Sequence, residues 1–77
     1  MKYQNGILMQ LGDIVEFSGA HAVVVAIQPN DEYDSDFPKQ DWEALLQGGF
    51  LIKYENGAIL RLDNPENSED LLFIKRR

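Results

Sequence analysis

Apolar and polar positions alternate with a period of two through Ile14-Val15-Glu16-Phe17, as they do on a half-buried strand. Ser18-Gly19-Ala20-His21 then reads as a turn, and Ala22 to Gln28 as a second strand. That second run is too short and too β-branched for a helix, and its continuous apolar character predicts cover on both faces. Pro29-Asn30 stops it. Phe50-Leu51-Ile52-Lys53-Tyr54 and Ala58-Ile59-Leu60-Arg61-Leu62 are two further strands joined at Asn56-Gly57, a type I′ hairpin signal. Asp63 to Asp70 is an acidic, turn-rich loop, and Leu71-Leu72-Phe73-Ile74 is the last strand. A second Asn-Gly pair, Asn5-Gly6, predicts either a small ribbon or a frayed loop at the start.

Only one stretch has helical spacing. Trp42, Leu45 and Leu46 give residues 38–47 one apolar side. Pro38 suits a first turn, Asp36 is placed to cap it or oppose its dipole, and Gly48-Gly49 supplies a left-handed stop. Between the second strand and this helix, residues 29–40 form a long, polar, acidic loop, and long loops in small domains often carry function. Five short strands with one helix inserted after the second predict a mainly β chain, an SH3-like, partly open barrel. Curling would hide the apolar edges that so small a flat sheet exposes.

With 77 residues there is room for one domain, residues 1–77, and for a modest core burying about 60–65 % of the unfolded surface. The chain has no cysteine, so disulfides and thiolate metal sites are excluded, and a reducing cytoplasm is the expected setting. No signal-like leader is visible, and no run approaches the roughly 20 apolar residues of a membrane span. Thirteen acids face seven bases, a formal charge of −6. That sign opposes nucleic acid and anionic membranes and favours a basic protein partner, although acidity for solubility alone would look the same.

Candidate chemistry is thin. Asp31, Glu32, Asp34 and Asp36 do not take the spacing of a helix–loop–helix calcium loop. Counting from Asp31 puts Asp36 and Trp42 at its sixth and twelfth positions, and counting from Asp34 puts Lys39 and Leu45 there, where a Gly and an acid are needed. His21 is the only histidine, so no His-rich zinc site is expected. It reads as a turn histidine, with partner binding or pH sensing as the alternative. Ser18, Ser35 and Ser68 fall in predicted turns with no adjacent base. The expectation is a non-enzyme without metal or cofactor.

The acid-and-aromatic segment is the best candidate for contact. Asp31, Glu32, Tyr33, Asp34, Asp36, Phe37 and Asp41 place rings among carboxylates, the composition of a binding patch. Trp42 belongs to the helical apolar side and reads as a pin. Tyr33 belongs to no apolar periodicity and reads as exposed contact area.

Leu11-Gly12-Asp13, Val23-Val24-Val25, Asp31-Glu32-Tyr33, Phe37-Pro38, Asp41-Trp42, Leu45, Gly48, Leu51-Ile52, Gly57-Ala58-Ile59, Asp70-Leu71 and Ile74 together resemble small bacterial SH3-like-barrel proteins of the toxin-immunity type. The resemblance implies a binding protein, a monomer or weak dimer, that neutralises a basic toxin by occlusion. It implies no catalytic residue. The alternatives are a nucleic-acid- or ribosome-associated module, a peptide- or ligand-binding barrel, and an acidic DNA mimic. Lys75-Arg76-Arg77 reads as a solvated basic tail.

Overall fold

The computed structural model describes residues 1–77. Its one antiparallel sheet holds β1 (Ile14–Phe17), β2 (Ala20–Ile27), β3 (Glu32–Tyr33), β4 (Phe50–Tyr54), β5 (Ile59–Leu62) and β6 (Leu71–Lys75), with a single α-helix, α1 (Lys39–Leu46). The order is β5-β4-β2-β1-β6, and β3 pairs with the far end of β2. β5 and β6 are the free edges and do not pair, so the sheet is not closed. There are six strands, not five: Ala26 pairs with Tyr33 and Ile27 with Glu32, inside the segment whose composition reads as loop. Two residues carry too little periodicity to announce a strand. No helix is long and apolar enough to cross a membrane.

β2 is covered on both faces, as its apolar run predicts. Ala22, Val24 and Ile27 join Tyr3, Met9, Val15, Phe50, Ile52 and Leu71 in the larger core on the inner face. Val25 and Ala26 join Phe37, Leu46 and Leu51 in a smaller core beneath α1 on the other face. A break in register between Val24 and Ala26 lets the adjacent Val25 and Ala26 serve the same core.

The turns differ from expectation in an instructive way. The two-residue loop with both φ positive, type I′, is Ser18-Gly19, where φ is 53° and 82°. At Asn5-Gly6 and Asn56-Gly57 only the glycine is left-handed, with φ of 87° and 90°. Gly6 N–H donates to the Tyr3 carbonyl and Gly57 N–H to the Tyr54 carbonyl, while Tyr3 N–H and Tyr54 N–H reach Ile7 and Ala58. Each is a type I turn followed by a left-handed glycine, a three-residue loop rather than type I′. The Asn side chains explain the choice. Asn5 accepts from Ile7 N–H at 3.0 Å and Asn56 from Ala58 N–H at 2.9 Å, satisfying amides the loop leaves over. The amino terminus is thus a small ribbon, with Lys2 bridged to Leu8.

Candidate functional site

One face of the sheet is half covered. α1 lies over the end formed by Val25 and Leu51, with the Phe37 and Trp42 rings tilted against each other at 5.4 Å. Pro38 occupies the N-cap without a side-chain bond, so Asp36 does not cap the helix. Proline lacks only an amide of its own, and the Asp36 carboxylate stays in solvent. The left-handed stop begins one residue earlier than Gly48, at Gln47 with φ 49°. Gly49 has a different reason: a Cβ there would run into the Leu62 carbonyl of β5.

Two side chains that sequence reasoning passed over fix the helix end. Gln28 donates to the Glu43 carbonyl at 2.8 Å and accepts from Gly48 N–H at 2.5 Å. Arg61 donates to the Leu46 carbonyl at 2.8 Å and pairs with Asp63 at 2.5 Å. Both serve carbonyls that an α-helix leaves unpaired at its C-terminus, and a cation there also opposes the dipole.

The predicted contact residues gather around the start of α1 but do not all face outward. Asp31 is left-handed, with φ 55°, and its carboxylate pairs with Lys39 at 2.8 Å. That hydrogen bond and its charge raise the Lys39 ammonium above its usual pKa, with Glu43 adding to the effect. Glu32 accepts from the Asn30 side chain at 3.0 Å. Asp34 accepts from Asp36 N–H at 3.0 Å through one oxygen, and its own amide donates to the Val25 carbonyl. Asp36 and Asp41 are exposed, while Phe37 is buried. Tyr33 is half-buried, packs with Val25 and Phe37, and its hydroxyl is enclosed without a hydrogen-bond partner. The expectation that Tyr33 and Phe37 offer exposed rings is therefore corrected: both belong to the small core, because β3 turns them onto the sheet. The carboxylates remain outside. Six of the thirteen acids and one of the seven bases lie between Asp31 and Glu43, so this lobe concentrates the negative charge of the chain.

Beyond α1 the same sheet face is bare. The register aligns Lys75, Ile14, Val23, Lys53 and Ile59 in one rung across β6, β1, β2, β4 and β5. The next rung carries Leu72, Glu16 and His21. His21 sits 3.6 Å from Glu16 and is largely exposed, a cross-strand partner as well as a turn neighbour. A groove of about 460 Å³ over these rungs is lined by Ile14, Val23, Lys53, Lys75 and Arg77, with His21 and Glu55 at its side. Lys53, Lys75 and Arg77 make no ion pair, whereas Lys39, Arg61 and Arg76 each do.

Arg76 is not part of a solvated tail. Its guanidinium donates to Asp13 at 3.1 Å and to the Leu8 carbonyl at 2.6 Å, and lies over the Phe73 ring at 5.4 Å. Asp13 is fully buried, and its carboxylate also accepts from the Tyr3 hydroxyl at 2.7 Å and from Gln10 N–H at 2.9 Å. This network ties the first ribbon, the start of β1 and the chain end together. It is structural: both oxygens of the carboxylate are engaged by the protein itself.

No protein family model, curated protein or solved structure matches this chain. The functional reading therefore stands on the geometry of the two charged regions either side of α1.

Proposed function

We propose that the chain is a non-catalytic binding protein of SH3-like, partly open barrel form that neutralises a basic protein partner, a bacterial toxin on the resemblance of its sequence, by occlusion. The observation that carries the reading is the lobe from Asp31 to Glu43. Its carboxylates are fixed on β3, a tight turn and α1, and Asp34, Asp36 and Asp41 make no ion pair. Ordered, unneutralised carboxylates focus a negative potential, which steers a basic surface toward them and speeds encounter. Tyr33, Phe37 and Trp42 support the lobe from beneath. The barrel reading is supported by the strand order β5-β4-β2-β1-β6 and by the bulges in β1 and β2, which bend a sheet toward closure.

Capture of the product of the adjacent gene tests this, with Asp34→Lys and Asp41→Lys together as the variant. Association with the wild-type chain is expected to slow steeply with added salt, and the double variant is expected to bind at least about tenfold more weakly. Unchanged capture by the double variant removes the lobe from the contact surface.

A further inference from the structure

We infer that the bare half of the sheet face is the seat of α1 from a second copy of this chain, giving a two-fold symmetric dimer. The groove and the helix are complementary. Lys75 and Lys53 lie three strand spacings apart on one rung, roughly 14 Å, with Ile14 and Val23 between them. Arg77 lines the same groove, and none of the three cations makes an ion pair, Lys53 lying 6.0 Å over the Phe37 ring, in a chain whose acids outnumber its bases thirteen to seven. The rung thus presents an apolar strip with positive ends. The helix presents the counterpart. Trp42 and Leu46 are spent on the small core, and an exposed flank of α1 carries Asp41 with Leu45 one turn later, Leu45 being 62 % exposed. Asp36, just before the helix, is exposed too, whereas Glu43, two positions from either residue, points to the other side of α1.

Placement selects a copy of the same chain as the occupant. α1 covers one half of the sheet face and the groove is the other half. A two-fold axis running between the halves, in the plane of contact, lays each helix on the partner's bare half. Both contacts form at once, and the two helices become neighbours in one layer between two sheets, about 8–10 Å apart. Leu45 then covers Ile14 and Val23, and Asp41 meets the cations of the partner's groove. Glu16 and Glu55, the acids nearest the groove, sit on the side of His21, away from the end where α1 lies. A basic partner bound at the acidic lobe would compete with this dimer for Asp41.

Sedimentation equilibrium on the full chain tests the inference with two reciprocal variants, Lys53→Glu/Lys75→Glu and Asp41→Lys. Lys75 and Asp41 are exposed and Lys53 is half-buried, and circular dichroism establishes that each variant folds. Should the first pair not fold, Lys75→Glu alone, on the exposed edge strand, replaces it. The wild-type chain is expected to dimerise at submillimolar concentration, less so at high salt. Each variant alone is expected to associate at least roughly tenfold more weakly. Mixed in equal amounts they are expected to pair again, because both contacts of the mixed dimer are then of opposite sign. A wild-type chain that stays monomeric throughout overturns the inference, as does a mixture that fails to pair. Binding of a short RNA by a monomeric wild type, lost in Lys53→Glu/Lys75→Glu, would also overturn it and assign the groove to nucleic acid.

Discussion

Asp13 shows how much one side chain can hold in a chain this small. Its carboxylate has no solvent contact and is met by a phenol, an amide and a guanidinium from positions 3, 10 and 76. A buried charge of this kind is costly unless every oxygen is engaged, and removing one partner strands the rest. Asp13→Ala is expected to cost about 3–5 kcal/mol in urea unfolding, a large share of the stability a domain of this size holds. The Tyr3 phenol titrates above its ordinary range, first because it is buried and second because it donates to Asp13. Above pH about 10 the unfolded chain releases this proton while the folded chain keeps it. The folded state then binds more protons, so stability falls as pH rises. Tyr3→Phe is expected to be less stable than wild type at neutral pH by about 1–3 kcal/mol, with the gap narrowing above pH 10 in melts across that range.

At the scale of elements, each turn is decided by which residue accepts a left-handed backbone. Ser18 takes that conformation at a cost, since a residue with a Cβ is strained there and serine only partly offsets it. Ser18→Asn, restoring the pair preferred in type I′ loops, is expected to add about 0.5–1 kcal/mol, seen as a rise of a few degrees in Tm. The Asn-Gly pairs show the limit of such local rules. Both mark hairpins, as their composition predicts, yet both close as three-residue loops, because each Asn side chain bonds a backbone amide two residues on. β3 and Gln28 show a second limit. A two-residue strand and a lone glutamine have no pattern of their own, and both acquire a role only because β2 and α1 lie beside them.

At the scale of the whole molecule the charge is sorted. The acids of residues 31–43 surround α1, while three unpaired cations occupy the groove next to it. The repulsion within the lobe opposes folding and is relieved by counterions, so moderate salt is expected to raise Tm rather than lower it. Asp34→Lys should shrink that salt effect, measured as the difference between melts at low and high ionic strength. The lobe was legible from composition because its acids are contiguous. The groove was not, since Ile14, Val23, Lys53 and Lys75 come from four strands and become neighbours only through register.

What the order of residues determined alone was local. Period-two alternation, β-branched runs, Asn-Gly turns and the Trp42-Leu46 spacing are satisfied within a few residues, so β1, β2, β4, β5, α1 and a mainly β chain could be read before any contact was known. What the tertiary structure decided was which polar groups are enclosed and which surfaces are left bare. Asp13 and Arg76 are 63 residues apart and Tyr33 looks solvent-facing in the sequence, yet burial turns the first pair into a tie and the phenol inward. Solvent exclusion depends on every neighbour at once, and no local pattern encodes it.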